Sequence, residues 1–137
     1  MAVAFKTTIR VYYEDTDAGG IVYYANYLRF MERCRSDWLR DLGHDISAVN
    51  RRFGVFFAVR STSVEYFKPA RLSDLLIVTV AIHTLKRASL VVEQHIYRDD
   101  ELICEGSIRL ASLHSDSLDP APIPELLLKD IKKWKMP

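Results

Sequence analysis

Residues 24–43, YANYLRFMERCRSDWLRDLG, decide the fold because they carry the longest periodic pattern in the chain. Charged side chains lie off the apolar stripe of this segment, and Gly43 is a typical helix stop. The pattern predicts one long amphipathic helix, from about Tyr24 to Leu42, that buries one face. The stripe has three- and four-residue spacing and consists of Tyr27, Met31, Cys34, Trp38 and Leu42.

Strand-like segments lie on both sides of this helix. The linkers LKRA and RDDE between the last three segments are short, so those strands are expected to pair as antiparallel hairpins. The proline-rich SLDPAPIP ends the sheet, and a short C-terminal helix is predicted at about 124–134. The residues therefore predict an α+β fold with a five-stranded antiparallel sheet wrapped around one helix. The predicted strands are residues 6–13, 56–67, 75–85, 89–97 and 102–113.

Length, charge and cysteine count restrict the class of protein. The 137 residues fit a single domain, 1–137, and the net charge of +1 argues against bulk electrostatic binding of nucleic acid. Two cysteines are too few for a disulfide framework and suit a reducing compartment. We see neither a signal peptide nor an apolar run of about 18 residues, so we expect a cytoplasmic protein without membrane association. The strand at 75–85 is apolar almost throughout, which favours a dimer or larger assembly.

The segment that precedes the helix, residues 14–26, EDTDAGGIVYYAN, concentrates carboxylates before two glycines. A calcium loop is excluded because Gly19 occupies the fifth ligand place and Asn26 the twelfth, where Glu is required. No metal-ligand spacing occurs among the histidines, and no phosphate-binding loop is present. Asp and Gly are also ordinary turn residues, so a purely structural turn remains open. A carboxylate beside the free N–H groups of a helix start would instead form a hydrolytic site that needs neither metal nor cofactor.

Residues 12–43, YYEDTDAGGIVYYANYLRFMERCRSDWLRDLG, resemble the signature of the hotdog-fold acyl-CoA thioesterases. They are most similar to the Tol–Pal-associated branch and are also similar to 4-hydroxybenzoyl-CoA thioesterase. Residues 59–76, VRSTSVEYFKPARLSDLL, and 88–106, ASLVVEQHIYRDDELICEG, carry the same resemblance. It implies a hotdog fold, hydrolysis of an acyl-CoA substrate, and a homo-oligomer that is at least a dimer, with a tetramer also compatible.

The resemblance also assigns roles to individual residues. It implies that Asp17 is the nucleophile or general base, and that the backbone N–H of Tyr24 polarises the thioester carbonyl. Many Tol–Pal-associated members carry a histidine at the position of Tyr24, so a histidine-assisted step is not implied here. Gly19 and Gly20 would let the backbone approach the ligand, and Asn26 would cap the helix or orient a neighbour.

Coenzyme A is polyanionic, so its binding requires cations outside the catalytic cleft. Lys86 and Arg87, just before Ser89, match the basic pair that hydroxybenzoyl-type enzymes use for the nucleotide phosphates. Arg60 is a further candidate. These four residues complete the predicted substrate-binding set. Each of the three charged residues is also explained by an ordinary solvated position on the surface.

Two other functions stay open at this point. A hotdog dehydratase would need a histidine paired with an acid across the cleft, and none lies near Asp17 in the sequence. A non-catalytic module that binds acyl-CoA or recruits a protein would use the same acidic turn to hold a ligand. The sequence also leaves open the acyl group and the thiol carrier, coenzyme A or acyl carrier protein.

Overall fold

The structure is a computed structural model that describes residues 4–135. Its five strands form one antiparallel sheet in the order β1-β3-β4-β5-β2, which confirms the predicted α+β hotdog architecture. The predicted domain limits, residues 1 and 137, lie outside the described residues. In chain order the elements are β1 Phe5–Arg10, a 3₁₀ turn Tyr13–Asp15, α1 Asn26–Asp41, α2 Ile46–Phe53, β2 Val55–Tyr66, β3 Leu75–Leu85, β4 Ser89–Arg98, β5 Glu101–His114 and α3 Glu125–Lys135.

Helix α1 packs its apolar stripe against the concave face of the sheet. Phe30, Met31 and Cys34 are fully buried there. Gly106 in β5 makes room for the helix, because a Cβ at this position would lie 3.1 Å from the Met31 side chain. The pattern in residues 24–43 therefore identified the face that builds the core.

Helix α3 lies beside α1 on the same face of the sheet. The Trp134 ring meets the rings of Phe5 and Trp38 edge to face, with centroids 6.1 and 6.5 Å away. Leu127 and Ile131 of α3 are fully buried. The C-terminal helix is thus part of the core, and its observed limits lie one residue from the predicted ones.

Two segments differ from the sequence prediction. Strand β1 ends at Arg10, before the predicted end at Tyr13, because the chain turns and the Asp15 carboxylate accepts a hydrogen bond from the Tyr12 N–H. Helix α2 was not predicted. It ends at Gly54, which has a φ of 66°, and glycine favours this left-handed conformation at a helix C-terminus.

A hydrogen bond between His44, three residues after α1, and Asp130 ties the end of α1 to α3, with 2.7 Å between Nε2 and Oδ2. The hydrogen bond from His44 holds the pKa of Asp130 below its ordinary value of 3.8. A carboxyl with a lowered folded-state pKa contributes stability above its unfolded pKa, and this contribution is lost as pH falls through the folded value.

We therefore expect Asp130→Asn to lower the melting temperature at pH 7. The difference from the wild type should shrink as pH falls below 3.8 and vanish once Asp130 is protonated in the folded protein. Thermal melts between pH 7 and pH 2 measure this difference. Asp100→Asn, in an exposed turn, should melt like the wild type throughout, and a pH-independent deficit in Asp130→Asn would contradict the linkage.

Candidate active site

The acidic turn, residues 14–22, is a tight hairpin that leads into the start of α1. An antiparallel bridge pairs Thr16 with Val22, so the two arms of the turn lie side by side. The Asp17 N–H donates to the Ile21 carbonyl over 2.9 Å, and the Gly20 N–H donates to the Asp17 carbonyl over 3.0 Å. Gly20 has a φ of 81°, a left-handed conformation that a side chain at this position would strain.

Asp15, which the sequence did not single out, is the structural carboxylate of the cluster. It is 3% exposed, and its two oxygens accept hydrogen bonds from the Tyr12 N–H at 2.9 Å and the Asn26 amide at 3.0 Å. Asn26 is the first residue of α1, whereas Ala25 occupies the N-cap position. Asn26 therefore contacts a neighbouring carboxylate and does not cap the helix, and its role in the site stays a prediction.

Because Asn26 donates to a buried carboxylate, we expect Asn26→Ala to destabilise the protein by about 1–3 kcal/mol, the usual cost of leaving a buried polar group unpaired. Urea unfolding measures this change. Asn50→Ala is the matched control, since Asn50 accepts a hydrogen bond at an exposed site, and it should cost no more than about 0.5 kcal/mol. Equal losses of unfolding free energy in the two variants would contradict a special contribution of the Asp15–Asn26 pair.

Asp17 differs from Asp15 in being exposed. One of its oxygens accepts a hydrogen bond from the Gly19 N–H at 2.8 Å, and within residues 4–135 the other oxygen has no hydrogen-bond partner. The apolar residues that follow Asp17 in the sequence do not bury it, because residues 17–20 at the tip of the hairpin are exposed in the single chain. One carboxylate oxygen is therefore free to act on a ligand.

Tyr24 supplies an unused backbone donor at the start of α1. Its N–H has no acceptor in the part of the chain that the structure describes, whereas its carbonyl accepts from the Tyr66 hydroxyl at 3.0 Å. The Tyr24 ring is 63% exposed and meets the rings of Tyr23 and Tyr66 edge to face. Asp17 and the Tyr24 N–H therefore offer a carboxylate and a backbone donor, the two kinds of group that acyl transfer at a carbonyl can use.

The Tyr66 contact was missed by the sequence analysis. Tyr66 ends β2, and its ring also packs on Tyr27, which is buried and accepts from the Ala70 N–H at 3.0 Å. Burial raises the pKa of both phenols, so they stay protonated at neutral pH. Tyr66 lies 42 residues from Tyr24, and the local sequence has no signal for such a contact.

The predicted cations are not brought to Asp17 within one chain. Lys86 and Arg87 lie in the turn between β3 and β4, and Ser89 begins β4. The acidic turn pairs instead with Arg71, before the opposite end of β3. Since β3 has 11 residues, the two ends lie about 30–35 Å apart. Arg60 is exposed at a bulge in the edge strand β2.

The remaining nucleophile and metal candidates do not compete with this site. Cys34 and Cys104 are buried, and burial raises the pKa of each thiol to about 12. Among residues 4–135, no three His, Cys, Asp or Glu side chains are placed to hold a metal ion. Over the same residues no helix is long and apolar enough to cross a membrane.

Comparisons with known proteins agree on one family. A sequence profile described as the thioesterase superfamily matches residues 19–105. The chain is 34% identical over 121 residues to the acyl-CoA thioesterase YbgC of Haemophilus influenzae, covering 88% of this chain and 89% of that protein. It is 36% identical over 130 residues to the acyl-CoA thioester hydrolase YbgC of Escherichia coli O6:H1, covering 94% and 96%. A probable thioesterase from Bartonella henselae superposes with a TM-score of 0.84 and 31% identity, covering 89% of this chain and all of that one.

Proposed function

The chain belongs to the thioesterase superfamily, and from that premise we propose that it hydrolyses acyl-CoA thioesters to a free acid and coenzyme A, with Asp17 and the Tyr24 N–H as its catalytic groups. The observation that carries the proposal concerns two groups near the start of α1. One carboxylate oxygen of Asp17 and the backbone N–H of Tyr24 both lack a hydrogen-bond partner within the described residues. The YbgC relatives are named for acyl-CoA thioester hydrolysis, which supports the choice of substrate class.

In this mechanism the thioester carbonyl oxygen accepts a hydrogen bond from the Tyr24 N–H, and the partial positive charge of the helix start favours the developing oxyanion. Asp17 then acts in one of two ways. It attacks the carbonyl carbon, expels the coenzyme A thiolate and forms an anhydride that water cleaves. Alternatively it takes a proton from a water molecule that attacks the same carbon. Both routes end with a carboxylic acid and a thiol.

The phosphates of coenzyme A are assigned to the cations at the other end of the sheet. Lys132 of α3 lines a shallow depression together with Lys86 and Arg87, which gives that end three positive charges. Because these cations are remote from Asp17 in one chain, they would serve the acidic turn of another copy. Gly19, Gly20, Asn26, Arg60 and Ser89 stay predicted as binding residues.

A homodimer is the smallest unit that fits this arrangement. Edge strand β2 carries consecutive exposed residues at 59–63, with backbone groups open to pairing, and Asp17 is uncovered in the single chain. We propose at least a dimer, and a tetramer also fits. A cytoplasmic location and a link to the Tol–Pal machinery stay predictions from the sequence, which leaves the acyl group open.

The two competing functions receive less support. A dehydratase needs a histidine near the catalytic acid, but the histidine–carboxylate pairs of the described chain lie elsewhere: His44–Asp130, His83–Glu93 and His95–Glu105. A non-catalytic acyl-CoA-binding module would use the same turn. An experiment that detects turnover distinguishes this function from an enzyme.

The test is thiol release from a panel of acyl-CoAs with short, long and aromatic acyl groups, and from acyl carrier protein carrying the preferred acyl group. We expect turnover of at least one acyl-CoA, undiminished by a metal chelator. Binding of acyl-CoA without thiol release from any member of the panel would overturn the proposed enzymatic function and favour the binding module.

A further inference from the structure

A second cavity, separate from the acidic turn, lies between α1, α2 and β2. Its volume is about 230 Å³, and its interior is mostly apolar. The nearest α1 residue that lines it is Glu32, about 12 Å along the helix from Tyr24. Exposed Ile46 and Val59 lie at its mouth. The buried walls include Trp38, Leu39, Val49, Leu90 and Leu110.

Two residues that line this cavity carry incompletely paired hydrogen-bond donors. Arg35 donates from Nη1 to the Gln94 carbonyl oxygen at 2.9 Å, and it forms no ion pair with a carboxylate in the described chain. Trp38 is 2% exposed, and its indole N–H finds no acceptor among residues 4–135. The Trp38 nitrogen is enclosed by protein, so the cation that this cavity offers to a ligand is the half-buried Arg35, whose only side-chain acceptor within the described residues is Gln94.

The arginine is held in position by a buried amide. Gln94 is fully buried, and its amide nitrogen donates to the Met31 carbonyl at 3.0 Å and to the Thr79 carbonyl at 3.3 Å. Both donors of the amide are thereby used, which directs its oxygen toward Arg35. Burial also lowers the pKa of the Arg35 guanidinium, since removing a cation from water disfavours its charged form. An anionic ligand would relieve this penalty.

We propose that this cavity binds an apolar molecule that carries an oxygen acceptor, above all a carboxylate, with Arg35 as the charged hydrogen-bond donor. A cavity of about 150 Å³ holds benzene, so 230 Å³ accommodates one ring or a short chain together with the carboxylate. Two sources supply this chemistry: a free carboxylic acid, or the far end of a substrate acyl group that ends in a carboxylate. The second source rests on the proposed function.

The first arm of the test measures binding of free acids and needs no turnover. The wild-type protein with ¹⁵N-labelled tryptophan is titrated with benzoate, hexanoate and hexanol, and the indole N–H signal of Trp38 is followed. We expect a saturable shift with the carboxylates. Arg35→Met should weaken carboxylate binding about tenfold or more, the value of one charge-assisted hydrogen bond, and should leave hexanol binding within about twofold.

Arg33→Met is the matched control, because Arg33 is on the exposed side of the same helix and its loss removes the same charge. It should bind carboxylates like the wild type. Arg35→Lys keeps the positive charge but loses the forked donor, so it should weaken carboxylate binding severalfold and leave hexanol binding unchanged. No carboxylate-dependent shift in the wild type, or equal weakening in Arg33→Met and Arg35→Met, would overturn the proposal. Thermal melts identify a variant that fails to fold, and if Arg35→Met does so, Arg35→Lys decides.

The second arm compares glutaryl-CoA with pentanoyl-CoA as substrates of the wild type, Arg35→Met and Arg33→Met. If the acyl group occupies the cavity, Arg35→Met raises KM for glutaryl-CoA about tenfold and leaves pentanoyl-CoA unchanged. Free-acid binding without this discrimination identifies the free acid as the ligand and supports the site. A chain that binds carboxylates at Arg35 but releases no thiol would refute the proposed function and leave the cavity proposal standing.

Discussion

Asp17→Asn is expected to reduce kcat for the preferred acyl-CoA by at least about 100-fold, the lower range for loss of a positioned acid or base. An amide can neither attack the thioester carbonyl as a carboxylate does nor take a proton from water. The fold should be unaffected, because Asp17 is exposed and an asparagine oxygen can still accept the hydrogen bond from the Gly19 N–H. Steady-state thiol release measures the effect, and thermal melts verify the fold.

Glu14→Gln is the matched control for this prediction. Glu14 is an exposed carboxylate three residues from Asp17 in the same segment, and its conversion to an amide removes the same charge. Its kcat should stay within about twofold of the wild type, since surface charges away from a site have small effects. If both variants lose activity equally, the loss reflects a general effect of removing negative charge from this segment, and the specific role of Asp17 is contradicted.

Tyr24→Pro is expected to reduce kcat by about 100- to 1,000-fold, the usual loss for one oxyanion donor, because proline has no backbone N–H. Tyr24→Phe keeps the N–H and the ring contacts with Tyr23 and Tyr66, so its kcat should stay within a few-fold of the wild type. The contrast between the two variants separates the backbone donor from the side chain.

Proline also restricts the residue before it, so a backbone ester at position 24 provides a second, milder removal of the N–H. It should show a loss of kcat with little change in melting temperature. Full activity of the folded ester variant, or a loss in Tyr24→Phe as large as that in Tyr24→Pro, would contradict the assignment of the oxyanion donor.

Local patterns determined most of the architecture. Strand β3 has the predicted limits, Leu75–Leu85, because its β-branched run is bounded by short polar turns. Helix α1 begins at Asn26 and not at Tyr24, since helix ends depend on hydrogen bonds that side-chain periodicity does not specify. Helix α2 was missed because its eight residues span only about two turns, too few for a clear apolar period, although Gly54 at its end was a usable signal.

The candidate site divides in the same way. Asp17 and the Tyr24 N–H are close along the chain, so motif reasoning could place both beside the helix start. The residues alone could not predict that Asp15 is buried and Asp17 exposed, because this difference depends on packing. The pairing of Arg35 with Gln94 joins residues 59 apart, so neither the cavity nor its donors had a local signal.

The central claim is that Asp17 and the Tyr24 N–H flank the carbonyl of a bound thioester. The most direct test is a crystal structure of Asp17→Asn with its preferred intact acyl-CoA, whose slow turnover should preserve the thioester. We predict that the thioester carbonyl oxygen lies about 3 Å from the Tyr24 backbone nitrogen, with its carbon facing the side chain at position 17. A thioester bound with its carbonyl away from both groups would contradict the account.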